Sequence, residues 1–189
     1  MNIVSAEFVK GIRGTDSVAY DGVPQIAFVG RSNVGKSSLV AAITNRKNLV
    51  KVSNMPGKTR EINFFRINGK SYLVDLPGYG YAKVNPIEKD KLKKLLNWYL
   101  TDSGVLPKMV VLVLDVKVGI TLFDEQMIEV LRLKQHPFII VANKIDKLSQ
   151  KELSAQLKEI REAALGAEVV PVSSTRKTGI KALSAMLFA

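Results

Sequence analysis

An octapeptide, Gly30-Arg31-Ser32-Asn33-Val34-Gly35-Lys36-Ser37, lies between a short apolar run, Gln25 to Val29, and a helix-forming segment, Lys36 to Thr44. A strand, a glycine-bracketed loop and a helix in that order constrain the fold more than any other feature of the chain. The pattern is G-x-x-x-x-G-K-[ST]. Glycines there let backbone N–H groups converge on phosphate oxygens with no Cβ in the way. The helix that follows offers unpaired N–H groups and a partial positive charge to the same anion. Lys36 is expected to reach the β and γ phosphates of a nucleotide, and the Ser37 hydroxyl to ligate Mg²⁺.

A second loop, Asn143-Lys144-Ile145-Asp146, follows the apolar run Pro137 to Ala142. A carboxylate at Asp146 accepts two hydrogen bonds from guanine, at N1–H and the exocyclic amine. Adenine would leave that carboxylate unpaired, so GTP is expected over ATP. The stem of Lys144 can lie along the ring face. Ser173-Ser174, after the last apolar run, can close over the base with backbone N–H groups. Between the two loops, Asp75-Leu76-Pro77-Gly78 ends a strand-like run. Its aspartate can hold Mg²⁺ through water, and Gly78 can offer its N–H to the γ-phosphate.

Apolar runs alternate with helix-like segments, the pattern of a parallel α/β sheet. Strands are expected at Gln25 to Val29, Glu61 to Ile67, Ser71 to Leu76, Met109 to Asp115, Pro137 to Ala142 and Glu168 to Val172. Asn68-Gly69-Lys70 is a hairpin signal, so one of these six should run antiparallel. Helices are expected at Lys36 to Thr44, Pro86 to Leu100, Leu122 to Lys134, Ser149 to Leu165 and Ile180 to Phe188. Leu92, Leu95, Leu96 and Tyr99 recur at helical spacing, with Trp98 beside that stripe as a packing residue. His136, next to Pro137, reads as a structural turn residue. The expectation is one domain over residues 1–189, with 1–22 an N-terminal extension packed on it.

The 189 residues carry a formal charge of +11, which points to a polyanionic partner. The excess is not evenly spread. Arg46, Lys47, Lys51, Lys58, Arg60, Arg66 and Lys70 face only Glu61 in their stretch. Lys83, Lys89, Lys91, Lys93 and Lys94 face Glu88 and Asp90. With no cysteine there is no disulfide framework, and a reducing cytoplasm is the expected setting. The longest uncharged apolar run, Met109 to Leu114, is far short of the roughly 20 residues a membrane helix needs.

These elements, with Gly57-Lys58-Thr59-Arg60 and the run Asp75 to Ala82, occur in the order of the five GTPase motifs. The chain resembles the EngB-type GTPases (also called YihA or YsxC type), single Ras-like G domains of the P-loop NTPase class. The resemblance covers nearly the full length, and Asp75 to Ala82 is its most family-specific part. It implies a switch in assembly of the large ribosomal subunit, contacting that subunit and its rRNA, needed for growth, cell division and septation, and acting as a monomer. It also implies that Thr59 is the switch threonine ligating Mg²⁺ beside Ser37 and Asp75. Nucleotide contacts by this likeness extend to Arg31, Ser32, Val34, Ser38, Gly57, Lys58, Leu76, Pro77 and Val172. Asn45 to Arg60 and Pro77 to Asn85 would be the two switches. Asn143 departs from the Thr of many members, but Asn is the general GTPase choice.

Lys36, Asn33 and Thr59 are the catalytic candidates. Ras-like enzymes place a water-orienting Gln right after D-x-x-G; here that position is Tyr79, expected to be held outward by the Pro-Gly turn. Slow hydrolysis is therefore expected. Related GTPases use an Asn at the position of Asn33 to hold K⁺ beside the phosphates; the other reading is a hydrogen bond within the loop, and both stay open. A basic RNA-binding module with a structural nucleotide, or a P-loop kinase, are the rival functions. The kinase is disfavoured by Asn143 to Asp146.

Overall fold

Runs in which every residue is apolar become strands covered on both faces, and amphipathic segments become the helices that cover them. The computed structural model describes residues 2–46, 49, 60–80 and 85–189. Its strands are β1 (Ala6–Ile12), β2 (Gln25–Val29), β3 (Ile62–Ile67), β4 (Ser71–Asp75), β5 (Met109–Asp115), β6 (Phe138–Asn143) and β7 (Val169–Pro171). The helices are α1 (Lys36–Thr44), α2 (Pro86–Asn97), α3 (Leu122–Leu133), α4 (Gln150–Ala163) and α5 (Ile180–Leu187). The strands form one sheet in the order β1-β3-β4-β2-β5-β6-β7.

Strand alternation sorts the core into two layers. Ala27 and Val29 of β2 join Leu96, Ile128, Leu131 and Ile160, from α2, α3 and α4. Ile26 and Phe28 of the same strand join Leu39, Val40, Leu183 and Leu187, from α1 and α5. β2 lies between β4 and β5, parallel to both, and all five of its residues are buried. Loops leaving the C-terminal ends of β2, β4 and β6 therefore emerge on one edge of the sheet, where α/β proteins hold ligands.

Among the described residues seven strands stand where six were expected. The additional one is β1, which lies within the segment read as an N-terminal extension and pairs antiparallel with β3 at the edge of the sheet. Most of its residues are exposed or half-buried, and the register shifts between Phe8 and Lys10, leaving Val9 facing out. A bulged, half-solvated edge strand carries little of the alternation that identifies strands. Among the described strands β3 alone runs against the rest, as the hairpin signal required. Asn68 and Gly69 adopt φ of 51° and 66°, the left-handed pair of a type I′ turn.

The remaining expectations hold within a residue or two at their ends, with one local difference. α2 starts on an Asn85 cap, whose Oδ1 accepts from Glu88 N at 2.9 Å. It runs as α-helix only to Asn97 and continues through Trp98–Asp102 as a wider π-type turn, closed by Ser103 N donating to Trp98 O at 2.8 Å. Trp98 packs against the core. His136 is buried at its junction, with Nε2 2.7 Å from Leu100 O, as a structural turn residue should be. No described helix is long and apolar enough to cross a membrane.

Candidate functional site

The loop after β2 is shaped by what surrounds its glycines. Gly30 has φ of 153°, and a Cβ there would fall 2.3 Å from Val113 O. Gly35 has φ of 100°, and a Cβ there would fall 2.5 Å from Asn143 Nδ2. Neither position tolerates a side chain. α1 begins immediately after Gly35 without a side-chain cap and without an acidic residue in its first turn. Its first N–H groups and the positive end of its dipole are thus left for an external anion.

Lys36 is buried, and its Nζ donates to Gly30 O at 3.0 Å and Arg31 O at 3.1 Å. Burial lowers its pKa to about 8, against the opposing attraction of Asp75. The Ser37 hydroxyl donates to Asp75 Oδ2 at 2.6 Å. The pairing of Phe28 with Asp75 in the β2–β4 register brings that carboxylate to α1. A hydroxyl and a carboxylate converging on one point are hard oxygen donors, the few protein ligands that Mg²⁺ takes alongside phosphates. The residues fit that ion.

The segment after Asp75 is laced to the phosphate loop. Ser32 N donates to Tyr79 O at 2.8 Å, and Tyr79 N to Gly30 O at 3.3 Å. Gly78 lies so close that a Cβ would meet Ser32 N and Cα at 2.9 Å. Leu76 and Pro77 are buried beneath. The outward Tyr79 of the sequence reading is overturned. Its ring turns inward against the core, and its hydroxyl donates to Asp124 Oδ1 at 2.7 Å. Burial, then the Asp124 charge, push its phenol well above the ordinary range. The turn is pinned by the lacing to Gly30 and Ser32, which directs the side chain into the space under α3.

The Asn143 loop is fastened to the phosphate loop directly. Asn143 is fully buried; its Nδ2 donates to Val34 O at 2.9 Å, and its Oδ1 accepts from Ser174 N at 3.1 Å. Lys144, at φ of 69°, donates through Nζ to Asn33 O and to Asp115 Oδ2, each at 2.7 Å. Asp146 Oδ1 accepts from Ser173 Oγ at 2.5 Å, a bond that holds its carboxyl below the usual carboxylate range. Val172 N bonds to Ala142 O at 2.9 Å and Ile145 N to Val172 O at 3.2 Å, tying this turn to the Ser173 loop.

Most of the residues singled out in the sequence thus converge on one edge of the sheet. Ser38 is exposed on α1, and Asn33 is exposed with φ of 66°. Gly57, Lys58 and Thr59 lie outside the described residues. Sequence reasoning passed over two carboxylates. Asp115 closes β5 and holds Lys144. Asp124, fully buried, ion-pairs with Arg31 Nε at 3.1 Å and accepts from Thr121 N at 3.0 Å. The signal for Asp124 was a Thr-x-x-Asp capping box at the start of α3.

A mostly parallel sheet with a glycine phosphate loop after β2 and Asn-Lys-x-Asp after β6 defines a P-loop GTPase. The family model described as "50S ribosome-binding GTPase" matches residues 25–144, and that of the elongation factor Tu GTP-binding domain matches residues 100–189. The chain is 47% identical to the probable GTP-binding protein EngB of Clostridium kluyveri, over 95% of this chain and 92% of that one. It is 42% identical to the protein of the same description from Chlorobium luteolum, covering 98% and 89%. A crystal structure of a probable GTP-binding protein EngB superposes with a TM-score of 0.73 at 25% identity, over 87% of this chain and 96% of that one. The chain belongs to the EngB family of GTP-binding proteins.

Proposed function

We propose that this chain is one GTP-binding domain over residues 1–189 that works as a slow, monomeric GTPase switch in assembly of the large ribosomal subunit. Its setting would be the cytoplasm, and growth, cell division and septation would depend on it. The observation that carries the reading is the direct fastening of the two loops, Asn143 to Val34 and Lys144 to Asn33. A phosphate cradle and a guanine reader held at fixed separation accept one nucleotide as a rigid gauge.

In this reading residues 30–38 wrap the phosphates, and Lys36 neutralises them. Ser37 and Asp75, with Thr59, hold Mg²⁺, which when bound offsets charge developing on the β and γ phosphates. Gly57 and Lys58 belong to the nucleotide-binding set, and in the Asp75–Gly78 segment Gly78 offers its N–H to the γ-phosphate. Asp146 selects guanine, while Asn143, Val172, Ser173 and Ser174 shape its pocket. Hydrolysis is slow because no amide side chain stands at position 79 to orient water; the neutral Tyr79 phenol is already engaged with Asp124. Asn33 is exposed, and its side chain is the candidate K⁺ ligand beside the phosphates.

Family membership and the charge of +11 support the ribosomal partner. Cosedimentation with large ribosomal subunits tests it. Binding should be stronger with a non-hydrolysable GTP analogue than with GDP. Equal binding in both would favour an RNA-binding module whose nucleotide is structural.

A further inference from the structure

Where the first switch ends, at Arg60, a cleft of about 480 Å³ opens between the turn after β1, the start of β3 and α2. Arg13, Arg60, Lys91 and Lys94 stand around it, and Glu88 is the one acid among its described lining residues. Leu92 and Leu95, both largely buried, and the half-buried Trp98 form its apolar base. A Cβ on Gly14, in its wall, would meet nothing within 4 Å, so that side is open.

We propose that this cleft binds an unpaired segment of RNA, its phosphates on the cationic rim and a base against Trp98. The proposal rests on the ribosomal reading above and gives that reading a location. An indole among cations is the combination that single strands use, stacking through a π-face that every base has and neutralising the backbone beside it. An acidic peptide without aromatic residues would satisfy the rim but has no flat ring for the base of the cleft. A duplex keeps its bases stacked inside.

The rim cations are poised for exchange. Lys94 pairs with Asp90 at 2.7 Å and Arg13 with Glu61 at 3.0 Å, but the Lys94 and Arg13 side chains are 76% and 71% exposed. Solvated pairs of this kind hold little and give way to a phosphate. Arg60 pairs with Glu88 at 2.7 Å, joining the entry of β3 to the first turn of α2. The chain between β4 and α2 passes through the Asp75–Gly80 segment, so the far wall of the cleft is covalently continuous with the phosphate side of the molecule.

Trp98 is the single tryptophan, so intrinsic fluorescence reports on the cleft directly. The full chain loaded with a GTP analogue should be titrated with octauridylate, a blunt RNA duplex and polyglutamate. Octauridylate should quench Trp98, and the other two should not. With about three phosphates engaged, affinity should fall roughly 20-fold between 50 and 200 mM salt. The double variant Arg13→Glu, Lys91→Glu should lose at least tenfold in octauridylate affinity with guanine-nucleotide affinity unchanged.

Undiminished binding by that variant overturns the proposal, as does equal quenching by duplex or polyglutamate. The same proteins sedimented with large subunits separate the two readings. If the unaltered chain fails to sediment, the ribosomal role falls. If both proteins sediment equally, the role stands and the cleft is not its contact.

Discussion

The hydroxyl of Tyr79 donates to Asp124 Oδ1 at 2.7 Å, joining the turn after β4 to the first turn of α3. The same carboxylate pairs with Arg31 of the phosphate loop at 3.1 Å. Three segments that are distant in sequence thus meet on one buried anion. In Tyr79→Phe the carboxylate keeps its other partners and loses one charged hydrogen bond, a cost of about 1.5–3 kcal/mol. Asp124→Ala leaves Arg31 without its counter-ion and costs about 3 kcal/mol or more. Urea denaturation should rank the two in that order.

Lys36 makes stability depend on pH. Its pKa is lowered from 10.5 to about 8, chiefly by burial. Between those values the unfolded chain binds the proton and the folded chain does not. Stability contributed by this residue therefore rises as pH rises through that window, and below about 8 the penalty is constant. The rise amounts to about 3 kcal/mol. Lys36→Met should remove it; about 2 kcal/mol of the rise falls between pH 8 and pH 10, measured as the difference between the two proteins' stability curves at those values.

Asp146 should decide the base. Asp146→Asn replaces an acceptor with an amide that meets the guanine N1–H and amine with its own N–H. Loss of two charge-assisted bonds should weaken GTP binding by about 100- to 1,000-fold. Xanthosine triphosphate, which carries an acceptor at that edge, should recover much of the loss. Competition against a fluorescent nucleotide measures both.

Gly78 is constrained by contact more than by backbone angle. In Gly78→Ala the new methyl would sit 2.9 Å from the Ser32 backbone, so the turn must move away from the phosphate loop. A loss of about 1–3 kcal/mol in stability is expected, with GTP affinity reduced more than GDP affinity.

The cation dependence of hydrolysis tests Asn33. A faster rate in KCl than in NaCl, abolished in Asn33→Ala, would make this residue a K⁺ ligand. Equal rates in the two salts would reduce it to a loop residue.

What the sequence determined by itself was written in short stretches. The glycines, Lys36 and Ser37 between strand and helix, the Asn-Lys-x-Asp loop, and Asn68-Gly69 at the hairpin each carry their conformation locally. Local dihedral preference and alternation suffice for such elements. Tertiary structure decided the rest. β1 is a strand only because β3 supplies its partner, since its own pattern is broken by the shift at Val9. Asn143 reads as a guanine residue in sequence; that its side chain also fastens Val34 and Ser174 was decided by contacts that exist only once β6 lies beside β5 and the loops meet. Tyr79 turned inward because Asp124, 45 positions away, stands buried in the first turn of α3. A buried polar group must find a partner, and which partner it finds is a property of the packed chain.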